Sequence, residues 1–381
     1  MGKIYTALGL MSGTSMDGVD ASIVQSDGDS EYLTILDQYF AYGDELRNKL
    51  TNIRDKILEP DDLGKYQCEL NSIEREITLF HSIVVNKIIK VSEIKPELLG
   101  LHGQTIFHNP EKKITKQLGD GELLSQLTNK KVLYDFRQND LKNGGQGAPL
   151  TPIFHNLLSK IIKNNHQLEY PIYFINIGGI TNITNVIKEE GEIENKLEAF
   201  DIGPGNCLID NWIRKNSKKN FDENGSIAES GKINKLILNQ AIENFKINSY
   251  HKSMDIKDFD ISFVRGLSLE DGCATITSFT AYLIAEGIIY LSKNNKKKIR
   301  YLICGGGRKN SYLISLIKNY ISNKNNIILE PIENYGLDGD YIESQAFGYL
   351  AIRSFLNLPI SFPSTTRCKF PTVGGKLIEN F

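Results

Sequence analysis

The sequence predicts an α/β protein built from two like domains, and three observations carry that prediction. The 381 residues exceed what one hydrophobic core usually serves, since domains run at about 100–200 residues. Short apolar strands alternate with helix-length amphipathic segments along the whole chain. A pattern of strand, small-residue loop and strand opens each half, at Ile4–Val24 and again at Pro171–Ile187. That repetition suggests an internal structural duplication, although little sequence identity links the halves.

Each element has a local reason. Ile4–Leu10 and Val19–Val24 are apolar, partly β-branched runs, and Met11-Ser-Gly-Thr-Ser-Met-Asp-Gly18 between them is a loop of hydroxyls and glycines, so a hairpin is predicted. Helices are predicted over 44–58 and 61–91, the second because Leu70, Ile73, Ile77, Phe80, Val84 and Ile88 recur at spacings of three and four. Leu98–Leu101 reads as a short buried strand ending at His102-Gly-Gln-Thr105. Pro171–Ile177 is a strand stopped by Gly178-Gly179, and strand Ile183–Ile187 follows. The second half continues with strand Leu197–Ile202, a helix from about Asn206, a long helix near 273–293, and strand Arg300–Cys304 leading into Gly305-Gly-Gly307 and another helix. Asn/Lys-rich stretches at 163–166, 215–220 and 293–298 read as solvated loops or helix ends, and no low-complexity linker separates the halves.

Composition removes several classes of function. Net charge is −2, with 24% charged and 40% hydrophobic residues, which suits a chain with a sizeable core. Nucleic-acid and anionic-membrane surfaces need concentrated Lys/Arg, so neither partner is expected. Five cysteines form no CxxC and no Cys/His cluster, which disfavours a zinc site or disulfide framework. Their odd number, with no secretory signal at the N-terminus, points to a reducing cytoplasm. Ala274–Leu291 is apolar but interrupted by Thr, Ser and Glu286, and is expected not to cross a bilayer. His102 and His108 lack a third ligand, so no metal held by side chains alone is expected, and Trp212 reads as core.

Thirteen of the 32 glycines fall in five short clusters, at 9/13/18, 144/145/147, 178/179, 203/205 and 305–307. Glycine-rich turns at strand ends present N–H groups that cradle phosphate oxygens. No Walker A string occurs, Gly145-Gln-Gly147 and Gly203-Pro-Gly205 lack the third glycine of a dinucleotide fingerprint, and kinase HRD and DFG signatures are absent. What remains is a fold that holds nucleotide phosphates between two hairpin loops, with a later glycine loop against the adenosine. The order of the loops at 13–18, 177–184 and 304–307 fits the actin, sugar-kinase and Hsp70 ATPase class, whose two domains are RNase H-like with an active-site cleft between them.

Gly9-Leu-Met-Ser-Gly-Thr-Ser-Met-Asp-Gly-Val-Asp20 resembles the N-terminal signature of the anhydro-N-acetylmuramic acid kinases. The resemblance runs on through His102-Gly-Gln-Thr105, Asp135-Phe-Arg137, Gly144-Gly-Gln-Gly-Ala-Pro-Leu150, Asn176-Ile-Gly-Gly179, Phe200-Asp-Ile-Gly-Pro-Gly-Asn206 and Cys304-Gly-Gly-Gly307, in order over essentially the whole chain. It implies domains at 1–172, rejoined by 343–381, and at 173–342, closing around ATP and sugar. It also implies a cytoplasmic homodimer that uses ATP, with Mg²⁺, to open 1,6-anhydro-N-acetylmuramic acid with water and phosphorylate O6. Another sugar kinase acting on an ordinary hexose and a non-catalytic ATP-binding scaffold are the rival readings.

The resemblance assigns roles residue by residue. Asp201 matches the base that activates water, against the alternative of a cap on the next helix. Glu343 matches a second active-site carboxylate, or else is an acid favoured at a helix N-terminus. Gly13, Thr14, Ser15, Met16, Asp17, Gly18, Val19 and Asp20 would surround the β/γ-phosphates with backbone N–H groups and hydroxyls. Asp17 serves either the metal's water shell or the turn. Gly178 and Gly179 form the second phosphate loop, and Gly305, Gly306 and Gly307 the adenosine loop. For the sugar, Arg137 would grip the lactyl carboxylate, and Asp135 would take hydroxyls or orient Arg137, unless the two form a structural ion pair. His102, Gln104 and Thr105 would line the pocket, and Gly119-Asp-Gly121 stands where relatives carry Gly-Asn-Pro.

Overall fold

A computed structural model describes residues 2–13, 15–188, 195–245, 250, 254, 258–293, 295 and 297–381. The chain opens with β1 (Tyr5–Ser12), β2 (Gly18–Ser26), β3 (Tyr32–Ala41), α1 (Asp44–Lys56), α2 (Pro60–Lys65) and α3 (Gln67–Ser92). Then come β4 (Leu98–Asn109), β5 (Ile114–Leu118), α4 (Gly121–Thr128), β6 (Lys131–Tyr134), α5 (Gln138–Lys142) and α6 (Pro152–His166). The middle of the chain holds β7 (Ile172–Ile177), β8 (Ile180–Ile187), β9 (Lys196–Pro204), α7 (Cys207–Asn216), α8 (Ser226–Ser230) and α9 (Lys235–Asn244). It continues with α10 (Leu269–Ser292), β10 (Ile299–Cys304), α11 (Ser311–Ile321) and β11 (Ile327–Pro331), and the chain ends with α12 (Ile342–Phe355), α13 (Pro363–Thr366) and β12 (Lys376–Ile378).

Two compact units result, Met1–Leu158 with Tyr341–Phe381, and Ser159–Asp340. The C-terminal segment rejoins the first unit, and the first division falls within α6, short of the 172/173 boundary read from the sequence. A continuous helix carries no local mark of the point where its packing partners change.

The two sheets share one topology. In the first unit the order is β3-β2-β1-β4-β6-β12, with β5 beside β4. β1–β3 form an antiparallel meander, and β4 and β6 add parallel to β1. In the second unit the order is β9-β8-β7-β10-β11, again an antiparallel meander extended by two parallel strands. This is the RNase H-like arrangement twice over, and it makes the duplication visible despite the divergent sequences.

Three glycines seat α12 on the first sheet. A Cβ at Gly9 would lie 1.9 Å from the Ser344 carbonyl oxygen, one at Gly100 2.2 Å from that of Phe347, and one at Gly348 2.7 Å from Val24 Cγ2. With no side chains in the way, the helix lies directly on β1, β2 and β4, and Ser22 and Ser344 share a 2.6 Å hydroxyl bond across the contact. Gly9, counted above among the ligand-loop glycines, is therefore a packing residue. In the second unit, α10 is long and apolar enough to cross a membrane by length and composition, despite the interruptions noted in its sequence. Yet 72% of its apolar window is buried, packed against β9, α7 and α11.

Candidate active site

The first hairpin loop is shorter than the sequence indicated, because β1 runs to Ser12 and β2 starts at Gly18. Thr14 lies outside the described residues. Met16 takes a left-handed conformation (φ 55°), which turns its side chain into the core beside Val19, so both residues offer a ligand only backbone. Gly18 is explained by packing, since a Cβ there would meet Phe40 O at 2.4 Å. A Cβ at Gly13 would meet only Ser15 Oγ, at 3.7 Å, so the fold itself does not demand glycine there. Ser15 Oγ donates to Asp17 Oδ1 at 2.5 Å, while the Asp17 carbonyl accepts from Tyr42 N–H and Tyr39 Oη. Asp17 thus shapes the turn and keeps a partly exposed carboxylate; Asp20 follows on β2, opposite Met11.

Gln104 reaches this same loop. It lies within β4, not beyond its end, because β5 pairs with 104–109 and prolongs the strand well past Leu101. Its Nε2 donates to Gly13 O at 2.9 Å, so it braces the first loop from below. Thr105 accepts from Gln117 Nε2 at 3.2 Å. Behind the loop, Ser12 Oγ lies 2.9 Å from Tyr42 Oη and 3.3 Å from His81 Nε2. Burial holds His81 down at about 4, hence neutral. Its signal was present in the sequence: His81 falls on the apolar stripe of α3, four residues from Ile77 and three from Val84.

In the second unit two glycine turns meet. Gly178-Gly179 is a two-residue hairpin between β7 and β8. The N–H groups of Gly205, Asn206 and Cys207 donate to the carbonyls of Gly178 and Gly179, docking the start of α7 onto this turn. Gly305 (φ 79°) and Gly307 pack on the end of β7: a Cβ at the first would meet Asn176 Oδ1 at 2.2 Å, and at the second Ile177 Cγ2 at 2.2 Å. Gly306, between them, has nothing within 4 Å of its Cβ position.

Asp201 lies on β9 opposite Asn182, beside a register shift at Thr181/Asn182. Its Oδ2 accepts the Met254 N–H at 2.8 Å. Burial pushes the carboxyl up from 3.8 to about 6, against the opposing effect of that N–H. The capping alternative does not hold: Asn206, not Asp201, stands at the N-cap of α7 and makes no side-chain cap, and the N–H groups of Asn206 and Cys207 are taken by the Gly178-Gly179 turn. A carboxylate near 6 is ionised at neutral pH and still a competent base.

The first unit gathers a cationic site around Arg137. His102 Nδ1 lies 2.7 Å from the Gly103 carbonyl, which only accepts, so Nδ1 carries the proton and Nε2 is the acceptor. Arg137 donates to that Nε2 through NH2 (2.9 Å) and Nε (3.3 Å), and through NH1 to Gly147 O (2.9 Å). Burial, then the Arg137 charge, holds His102 well below its usual value. Burial also draws Arg137 down to about 10, still protonated, with Glu343 and Asp140 opposing it electrostatically. Glu343 sits in the first turn of α12, where an acid is favoured, and its charge is felt at Arg137. The Asp135–Arg137 ion pair is absent among the described residues, and Arg137 is oriented by His102 and Gly147. Asp135 (φ 57°) instead stands with His102 on the wall of a cavity of about 230 Å³, together with Lys116, Gln117, Tyr134 and Gln138. Burial raises its carboxyl, and Lys142, Lys116 and Lys376 oppose the rise.

Two structural carboxylates escaped the sequence reading. Asp140, 1% exposed, accepts Gly147 N–H (2.7 Å) and the hydroxyls of Ser361 and Thr366 (2.6 Å each), so it fixes the glycine loop that supplies the carbonyl on Arg137. Glu74 accepts Lys116 Nζ (2.9 Å) and Gly119 N–H (3.2 Å) on the same cavity. Neither lies in a recognisable motif, because the partners come from distant parts of the chain. Asp120 caps α4 through the N–H groups of Glu122 and Leu123, which accounts for an acid at that position.

The family model described as Anhydro-N-acetylmuramic acid kinase matches residues 5–379. A protein of that name from Pelagibacter ubique is 52% identical over 384 residues, covering 100% of both chains. One from Agrobacterium fabrum is 38% identical over 392 residues, again at 100% of both, and one from Rhodospirillum rubrum is 36% identical over 373 residues, covering 97% of this chain and 93% of its own. The resemblance read from the motifs is thereby borne out along the whole length, and the chain belongs to the anhydro-N-acetylmuramic acid kinase family.

Proposed function

We propose that this kinase uses ATP and water to convert 1,6-anhydro-N-acetylmuramic acid into N-acetylmuramic acid 6-phosphate and ADP, in the recycling of cell-wall sugar. The observation that carries the reading is the half-buried Asp201 carboxylate, pushed up to about 6 in the family-matched motif. Water attacks the anomeric carbon while Asp201 takes its proton. The bond from that carbon to O6 breaks, O6 accepts the γ-phosphoryl group, and ADP leaves. Arg137, pre-oriented by His102 and Gly147, keeps the second hydrogens of NH1 and NH2 for the lactyl carboxylate. Glu343 helps to hold the water or ring oxygen, and Asp135 and His102 meet sugar hydroxyls.

Gly13 and Gly306 support nucleotide binding, because at both positions the space a Cβ would fill is open. The first loop contains no lysine, so phosphate charge is met by backbone, hydroxyls and a metal ion. Asp17, partly exposed, and Asp20 suit Mg²⁺, which prefers oxygen ligands and retains several waters; bound there, it would supply countercharge to the phosphates. A cytoplasmic homodimer completes the proposal, on the strength of the family resemblance.

The test is incubation with ATP and either the 1,6-anhydro sugar or its open-ring form, with the products weighed by mass spectrometry. A 6-phosphate carrying one added water, formed only from the anhydro sugar, is the expected result. Phosphorylation of an ordinary hexose with no use of the anhydro sugar would overturn it.

A further inference from the structure

Arg308, directly after the Gly305–Gly307 turn, is only 10% exposed at its side chain, yet no substrate role falls to it. Its Nε donates to Glu333 (2.6 Å), NH1 to Asp340 (2.5 Å) and to Gly305 O (3.1 Å), and NH2 lies 3.4 Å from Asp338. One guanidinium thus ties the turn to the segment 333–340. The two segments also meet through backbone, since Gly305 N–H donates to Gly339 O at 3.0 Å. Gly339 is glycine for the same reason: a Cβ there would lie 2.6 Å from Arg308 Nε. Lys309 adds a 2.5 Å contact to Asp340. On its other side the turn is pressed against Asn176 and Ile177, leaving the face of Gly306 as its open edge.

A guanidinium this enclosed needs its donors matched, and a planar fork suits several carboxylates at once in a way a point charge does not. We propose that Arg308 is the positioning residue of the nucleotide site: it clamps Gly305–Gly307 against 333–340, so that the backbone at Gly306 stands ready for the nucleotide without further ordering. The proposal rests on the reading of this turn as the adenosine loop. Order already present before binding is affinity retained, because none is spent on fixing the loop.

The test compares the parent with Arg308→Ala and Arg308→Lys, measuring ADP binding by calorimetry and KM for ATP and sugar separately. Both variants are expected to weaken ADP about tenfold, the scale of losing a charged hydrogen bond. KM for ATP rises in step, KM for sugar stays within about twofold, and thermal unfolding of Arg308→Lys stays near the parent's. Asp338→Asn, which trims one exposed arm of the clamp, is the milder variant should Arg308→Ala fail to fold, and it is expected to show a smaller shift of the same kind. Unchanged ADP binding in the folded variants, or an equal rise in both KM values, would overturn the proposal. A parent protein that binds no ADP would overturn the nucleotide reading beneath it, and the two failures are therefore distinct.

Discussion

Replacing Asp201 by Asn removes a carboxylate whose burial disfavours the charge its chemistry needs, and the consequences for stability and rate run in opposite directions. A rise from 3.8 to about 6 corresponds to about 3 kcal/mol between its two protonation states, an upper figure because the side chain keeps some solvent contact. The folded-state value is raised, so folding favours the protonated form. The associated stability is full below 3.8 and is lost as pH climbs through about 6. Asn has the size of the protonated acid and can still accept the Met254 N–H. The variant is therefore expected to match the parent near pH 4 and to exceed it at pH 8 by up to about 3 kcal/mol. The assay is urea unfolding followed by fluorescence. Trp212 is the chain's only tryptophan, is 6% exposed and lies in the same unit as Asp201, so the signal reports that unit. Turnover should fall by about 10²–10⁴, the usual value of a positioned base. A stability gap that does not change between pH 4 and 8, or substantial turnover in the variant, would refute this account.

Further expectations follow from the same geometry. In the parent, kcat/KM for the anhydro sugar should fall on the acid side below about pH 6, as Asp201 takes up its proton; a flat profile from pH 5 to 8 would contradict its role as base. Gly13→Ala should leave thermal stability almost unchanged while raising KM for ATP, whereas Gly9→Ala, with a Cβ 1.9 Å from Ser344 O, should cost several degrees of Tm. Arg137→Lys keeps the charge but loses the fork across His102 Nε2 and Gly147 O, so KM for the sugar should rise tenfold or so with ATP binding unaffected, as calorimetry would show. Asp140→Ala leaves Gly147 N–H and two hydroxyls without their acceptor and should destabilise the first unit by about 1–3 kcal/mol, read from urea midpoints.

Much of this protein was legible in its amino-acid order, and the reason is locality. Hairpins, helix stripes and glycine turns are set by neighbours within a few residues, so β1–β2, β7–β8, α3 and α10 stand close to where pattern alone put them. The long helix expected over 61–91 is divided at Tyr66 into α2 and α3, since a short first turn with its own Glu59/Asp62 capping box precedes it. Family motifs carried the candidate residues, because chemistry needs particular side chains at particular spacings.

Tertiary structure alone decided which members of a motif hold the fold and which leave open space beside their backbone. Gly9, Gly18, Gly305 and Gly307 look like Gly13 and Gly306 in sequence, but the first four press against other parts of the protein and the last two do not. Asp135 and Arg137 are near neighbours in the chain and still face different partners, His102 and Gly147 having claimed the guanidinium. Asp140, His81 and Arg308 owe their roles to contacts 7 to 226 residues away, at Gly147 and Thr366, 69 away at Ser12, and 25 to 32 away at Glu333, Asp338 and Asp340. Local pattern records what a residue is able to do, whereas burial and distant partners settle what it does.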